Sequence, residues 1–363
     1  MDENPKDKLT LVREYLVESN VEGLLIGSAT NRRWLSGFTG SSGWLLITKE
    51  KALLGTDFRY WEQAQDQSPD FKLIEIKGRL SEELPKFIAE ASVNTIGIEG
   101  KHITLHQFDV LLTVSDVAWV KLENTLEIFR EVKHPSEIES IREAATLTDK
   151  VMAQVNEIAY PGITEKQLAW ELEKRLRELG ASGLAFPTII AFGNNGARAH
   201  HEPGDRQLRL GDTIIVDMGA KLNGYCSDLT RTFFLGNEPN STFLEIYNIV
   251  LDAQEAAIKN IKPGKTGKEI DKIARDIIDS AGYGKAFGHS LGHGLGLEVH
   301  ENPRLSQLFD GNPLGSGMVV TVEPGIYLPD WGGIRIEDLV LVTSDGSNRI
   351  SQCPKQPIIS INH

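Results

Sequence analysis

GDTIIVDMGAKLNGYCSDLTRT (residues 211–232) and GMVVTVEPGIYLPDWGGIRIEDLV (residues 317–340) read as one design used twice. Each opens on a glycine, climbs through an apolar, β-branched run and delivers an acid six residues later, Asp217 in the first and Glu323 in the second. A second acid then follows each, Asp228 after 11 residues and Glu337 after 14. That spacing fits a hairpin in each half that carries the second carboxylate back beside the first.

The echo extends upstream of both stretches. PGITEKQLAWELEKRLRELG from Pro161 matches PGKTGKEIDKIARDIIDSAG from Pro263. Each has a Pro-Gly turn, a threonine N-cap (Thr164, Thr266), an N3 partner for a capping box (Gln167, Glu269) and a closing glycine. A domain with a pseudo-twofold axis, and carboxylates at that axis, accounts for the pattern.

A lone acid at a strand end is usually an ordinary surface residue. Two facing pairs in one cleft are different, because they repel strongly unless cations neutralise them. His293, in GHSLGHGLG, adds an imidazole to Asp217, Asp228, Glu323 and Glu337. Four carboxylates, one nitrogen and no thiolate suit a pair of hard divalent cations, Mn²⁺ or Co²⁺ rather than a structural zinc.

The other histidines of interest are His289, four residues before His293, His200 in NNGARAHHEP and His300 in LEVHENP. The glycines around His289 and His293 read as room for a ligand to approach the backbone, with a helical core pair as the other reading. His200 and His300, in loop-like stretches ahead of the acidic strands, are placed to hold a substrate carbonyl or an oxyanion.

Residues 1–130 alternate strand-like runs (GLLIG, WLLIT, KALLG, TIGIEG) with helical patterns near 82–91 and 104–112, an α/β domain. A long helix opened by Ser136 and Glu139 as a capping box starts the second domain, residues 131–363. A length of 363 residues suits two such domains, and 25% charged residues is ordinary for a folded protein. A net charge of −13 without basic runs excludes nucleic acid as an expected partner. Only Cys226 and Cys353 occur, far apart, so neither a disulfide framework nor a zinc ribbon is indicated and a reducing cytoplasm is expected. The start, MDENPKDK, is polar, and no apolar stretch reaches the roughly 18 residues of a membrane span, so neither secretion nor membrane insertion is expected.

The ordered set VDMGA, SDLTRT, GHSLGHGLG, TVEPGIY and GIRIEDLV resembles the pita-bread metallopeptidases, which include methionine aminopeptidase, aminopeptidase P and prolidase. NRRWLSGFTGSSG, residues 31–43, resembles the creatinase-type N-terminal domain of the proline-specific branch. The resemblance implies an α+β pita-bread catalytic domain behind a creatinase-like α/β domain. It implies that Asp217 ligates one metal, His293 and Glu323 the other, and Asp228 and Glu337 both, with Mn²⁺ preferred and Co²⁺ or Zn²⁺ as alternatives. Water acidified between the cations attacks the scissile carbonyl in this family, Glu323 accepting the proton. By the same resemblance His200, His289 and His300 contact substrate and stabilise the intermediate, and Arg335 orients a carboxylate or the substrate end. Cys226 is expected to stay out of the ligand set. Phe186, Pro187, Phe192, Tyr225 and Tyr327 are read mostly as core, with an apolar wall for proline as the second use.

The expected activity is release of the N-terminal residue from Xaa-Pro peptides, the aminopeptidase P type, with Xaa-Pro dipeptidase as the alternative. A non-peptidase creatinase-like hydrolase or a binding protein of the same fold is the third reading. The resemblance also implies a homodimer or higher homo-oligomer.

Overall fold

The computed structural model describes residues 7–78, 80–113 and 117–360, so the polar MDENPK start lies outside the described residues. The chain divides into two compact units, Met1–Phe129 and Arg130–His363.

The first unit runs α1 (Lys8–Glu18), β1 (Gly23–Ile26), α2 (Ala29–Ser36), β2 (Trp44–Thr48), β3 (Ala52–Asp57), α3 (Trp61–Gln67), β4 (Lys72–Ile76), α4 (Leu80–Ala91), β5 (Thr95–Glu99), α5 (Leu105–Leu112) and β6 (Ala118–Leu122). Its strands form one sheet in the order β4-β3-β2-β1-β5-β6, antiparallel at β1–β2 and β2–β3 and parallel elsewhere. The four apolar runs of the sequence are the four central strands, buried on both faces as mixed sheets under helices require. The edge strands β4 and β6 are only partly buried, and their mixed sequences KLIEI and AWVKL gave no strand signal.

NRRWLSGFTGSSG is the body of α2 followed by a built loop from Gly37 to Gly43. Buried Asn31 donates through Nδ2 to Glu99 at 2.7 Å and to Glu127 at 2.6 Å. Arg32, 3% exposed, donates to the carbonyls of Gly27, Gly40 and Gly43. The charge thus closes the loop on itself.

A short helix, α6 (Glu127–Arg130), precedes the long helix of the second unit, α7 (Pro135–Met152). The cap of α7 is His134 and not Ser136. The His134 ring accepts from the Ser136 amide, Glu137 accepts from the His134 amide at 2.8 Å, and Pro135 occupies the first helical position. Proline presets the helical φ and has no amide to orphan, which moves the start one step upstream of the Ser/Glu pair.

The rest of the first half is α8 (Val155–Ile158), α9 (Glu165–Glu178), β7 (Gly183–Leu184), β8 (Ile189–Phe192), β9 (Thr213–Met218), β10 (Ala220–Leu222), β11 (Tyr225–Cys226) and β12 (Leu229–Leu235). The second half follows as α10 (Ser241–Asn260), α11 (Gly267–Ser280), β13 (Gly292–Gly294), β14 (Glu301–Leu305), β15 (Val319–Val322), β16 (Gly325–Leu328), β17 (Gly332–Arg335), β18 (Asp338–Val342) and β19 (Ser347–Arg349), closed by β20 (Ile358–Ile359). The echoed helices are α9 and α11, each with the expected threonine capping box.

The two hairpins are also present, each interrupted by a small one. β9 and β12 pair antiparallel with Thr230 opposite Asp217, while β10 and β11 form the insert between them. β15 and β18 pair antiparallel with Val322 opposite Asp338, around the β16–β17 insert.

Strand alternation then aims the acids. Ile214, Val216 and Met218 of β9 and Leu229, Phe233 and Leu235 of β12 pack into the core under α7–α9. Val320 and Val322 of β15 and Val340 and Val342 of β18 pack under α10 and α11. With a side-chain period of two, Asp217, Asp228, Glu323 and Glu337 all fall on the opposite face from the helices.

The tail locks the two hairpins together. Buried Arg231 donates to the carbonyls of Thr230, Glu337, Cys353 and Pro354 and pairs with Asp338 at 2.8 Å. Asp338 also meets Lys355 at 2.8 Å and Gln254 at 2.9 Å. Removing one partner of such a buried pair strands a charge and costs about 3–5 kcal/mol.

The glycines beside His293 serve strand packing. A Cβ on Gly292 would lie 2.0 Å from the Thr321 carbonyl oxygen, and one on Gly294 would lie 2.0 Å from that of Asn302. His289 and His293 stand on extended or irregular backbone, so the helical pair is not formed. Gly292→Ala is expected to lower the melting temperature by about 4–10 °C, as overpacking of a core strand does, and to weaken metal binding with it; calorimetry with and without Mn²⁺ checks both.

Candidate metal centre

Asp217, Asp228, His293, Glu323 and Glu337 line one cavity of about 390 Å³, together with His200, His289, His300 and Arg335. All nine residues singled out in the sequence therefore meet. Asp217, Asp228 and Glu337, each buried, offer oxygens within 4.8 Å of one another. Glu323 Oε1 lies 3.3 Å from His293 Nε2, and Asp228 Oδ2 lies 3.8 Å from the same nitrogen.

The imidazole is presented in the form a cation needs. His293 Nδ1 sits 3.0 Å from the Gly294 carbonyl, which fixes the proton there and leaves the Nε2 lone pair facing Glu323 and Asp228. Two carboxylate oxygens in the cavity wall, Asp217 Oδ1 and Glu337 Oε1, are buried with no hydrogen-bond partner among the described residues. Orphaned anionic oxygens converging on a histidine nitrogen are the donor set of a hard divalent ion.

Arg335, 3% exposed, is the single guanidinium in the group. It donates through Nη2 to Asp217 Oδ2 at 2.6 Å, through Nε to Thr230 Oγ1 at 3.2 Å and through Nη1 to Tyr327 Oη at 2.8 Å. Thr230 Oγ1 donates a hydrogen bond to Glu337 Oε2 at 2.7 Å. Tyr327 in turn sits 2.9 Å from His289 Nε2, whose Nδ1 contacts the Ser290 carbonyl at 2.8 Å. These contacts define a chain of donors from Arg335 through Tyr327 to a neutral His289, whose protonation burial disfavours.

Electrostatics records the crowding. Burial, then repulsion from the other acids, pushes Asp228 and Glu337 well above the usual carboxylate range. Burial raises Asp217 as well, against the pull of Arg335. Glu323 moves the other way when the neighbouring imidazoles carry protons: burial alone would raise it, but charged His293, charged His289 and Arg335 together bring it to about 2. Cys226 packs in the core and donates to the Leu297 carbonyl at 3.7 Å, away from the ligands.

Sequence reading missed the supports. Glu165, fully buried at the start of α9, accepts from the Phe192 and Gly204 amides, from Asn195 and from His201, at 2.8–2.9 Å. It anchors the loop that carries His200. A Glu in the first turn of a helix, two residues ahead of the box glutamine, gives no sign of this. Thr230 was equally silent, although it stands two residues from Asp228 on the same face, and Tyr327 was read for its ring and not for the hydroxyl that joins Arg335 to His289. Of the aromatic set, Phe186 lines the cavity with Pro187, Phe192 is core, and Tyr225 bonds Glu137 at 2.8 Å.

With this geometry, comparison with known proteins is decisive for the class. Residues 139–344 match the model of metallopeptidase family M24, and residues 8–132 match the creatinase/prolidase N-terminal domain. The chain belongs to metallopeptidase family M24, with a creatinase-type domain ahead of a pita-bread catalytic domain, and its fold is that of a divalent-metal hydrolase. It is 41% identical to the uncharacterized peptidase YqhT of Bacillus subtilis, over 97% of this chain and 99% of that protein. Among solved structures it superposes on an Xaa-Pro dipeptidase from Bacillus anthracis with a TM-score of 0.94 at 38% identity, covering 98% and 99% of the two chains. An X-Pro aminopeptidase from Thermotoga maritima gives 0.90 at 36% identity, covering 98% and 100%.

Raised carboxylates tie metal to pH. In the metal-free fold Asp228 and Glu337 keep their protons to higher pH than ordinary carboxylates, so their contribution to stability is full below the ordinary carboxylate range and is lost as pH rises toward their folded values. A divalent ion takes the proton's place. Mn²⁺ is therefore expected to raise the melting temperature more at about pH 8 than at about pH 5.5, a difference that thermal scans at both pH values will measure.

Proposed function

We propose that the chain is a two-metal exopeptidase that releases the N-terminal residue from peptides with proline in second place, using Mn²⁺. One observation carries the proposal: four carboxylates converge with one imidazole in a cavity that holds a single guanidinium, a fifth carboxylate, Glu202, standing exposed in its wall. One divalent ion would leave that cavity negative, whereas two would bring it close to neutrality. The names of the two superposed structures, an Xaa-Pro dipeptidase and an X-Pro aminopeptidase, support the proline specificity.

Asp217, Asp228, His293, Glu323 and Glu337 would hold the two ions, which supply the charge that acidifies water and polarises the scissile carbonyl. The protein's own part is placement. Glu323, kept ionised by His293 and Arg335, accepts the proton at a carboxylate oxygen. His200 and His300 stand on the cavity wall where they can donate to the carbonyl oxygen as it gains charge. Arg335 holds Asp217 directly and Glu337 through Thr230, so both carboxylates keep their aim. Phe186, Pro187 and Ile189 give the cavity an apolar wall suited to a pyrrolidine ring. A homodimer in a reducing compartment completes the reading, on the resemblance and on two cysteines that are both free and buried.

Arg304 favours a second reading, hydrolysis confined to Xaa-Pro dipeptides. It lies opposite His293 across β13–β14, so its side chain leaves the same face of the sheet, and it makes no ion pair among the described residues. A guanidinium there suits the carboxylate of a dipeptide.

Hydrolysis of Ala-Pro, Ala-Pro-Ala and a Met-Ala control by the Mn²⁺-loaded protein, with Asp228→Ala as the blank, separates the readings. Cleavage of the tripeptide at the Ala-Pro bond is expected; cleavage of the dipeptide alone establishes the second reading, and silence on all three with metal bound refutes both. In a separate assay, Glu323→Gln with its metals retained is expected to lose about 10²–10⁴ in kcat, and unchanged turnover would remove Glu323 from proton transfer.

A further inference from the structure

A second groove opens from the wall of the catalytic cavity. Phe186, Pro187, Thr188 and Pro203 line both spaces, so the two are continuous. One side of the groove is a single face of α9, with Lys166, Trp170, Glu173 and Arg177 spaced four, three and four residues apart. The other side is Gly183 and Leu184 of β7, the edge strand of the three-stranded sheet β11-β10-β7.

Three details make this groove more than a surface furrow. Trp170 is 60% exposed, an expensive placement for the largest apolar side chain. A Cβ added to Gly183 would meet nothing within 4 Å, so the face of β7 is open at Gly183. At the junction Thr188 is 7% exposed, and its hydroxyl is buried without a partner among the described residues.

We propose that this groove binds the residues of a longer peptide that follow its proline, as an extended strand beside β7 stacked on Trp170. The inference rests on the aminopeptidase reading above. An enzyme that removes one N-terminal residue has nothing further to house on that residue's side of the bond. A channel leaving the cavity therefore serves the C-terminal part of the substrate. Strand addition supplies sequence-independent main-chain hydrogen bonds, and proline's preference for extended backbone directs the chain along the edge. Lys166 and Arg177 give the groove one more positive than negative side chain against Glu173, complementary to a C-terminal carboxylate. Their present partners are Asp205 at 3.0 Å and Glu173 at 3.0 Å, both exposed pairs that a ligand can displace at little cost.

The test compares the full-length Mn²⁺ protein, Trp170→Ala and Trp170→Phe on Ala-Pro, Ala-Pro-Ala and the pentapeptide Ala-Pro-Ala-Phe-Ala, with sedimentation of each variant. Trp170→Ala is expected to lower kcat/KM for the pentapeptide about three- to tenfold, through KM, with Ala-Pro unchanged and Trp170→Phe restoring most of the loss. Equal losses on all three peptides, no loss on the pentapeptide, or a change of oligomeric state in Trp170→Ala would each overturn the groove while leaving the aminopeptidase reading intact. Wild-type protein that cleaves only Ala-Pro, or none of the peptides, would overturn that reading and the groove together.

Discussion

Repulsion among four carboxylates, three buried and Glu323 partly so, is the constraint around which the catalytic unit is built. Left to themselves, Asp217, Asp228, Glu323 and Glu337 would move apart or stay protonated. Paired strands, β9 with β12 and β15 with β18, prevent the first by fixing where each acid leaves the sheet. Arg335 offsets part of the charge but only part, since its guanidinium reaches Asp217 directly and Glu337 only through Thr230. The fold thus stores an affinity for cations that the chain cannot satisfy alone, at the cost of stability in the metal-free protein.

Much of this was readable from the chain because the signals were local and repeated. An acid six residues beyond a glycine, twice, is a statement about strand length and face, and alternation carries it into three dimensions. The capping boxes of α9 and α11 were legible for the same reason: the threonine and its partner lie three residues apart. The five candidate ligands could be named in advance because the acids stand beside strand-like runs and His293 among glycines, and the cavity brings all five together.

What escaped depends on distant partners. Glu165 acquires its role from four donors between Phe192 and Gly204, and no spacing within α9 announces them. Tyr327 looked like core until Arg335 and His289 arrived from separate strands. β4 and β6 went unread because edge strands bury too little to need an apolar run. The His134 cap was misplaced by one competing rule, proline's preference for the first helical turn over a Ser/Glu pair just inside it.

The lock made by Arg231 has a consequence in time. Asp217 and Asp228 are synthesised more than a hundred residues before Glu337, and the guanidinium that joins their strand to Glu337's backbone is completed only by the carbonyls of Cys353 and Pro354 and by Lys355 beside Asp338. While the chain is still emerging from the ribosome, the first hairpin holds two acids and no finished cage. The set of acids is therefore complete only once Glu337 has been made, and its bracing only once residues 353–355 have followed.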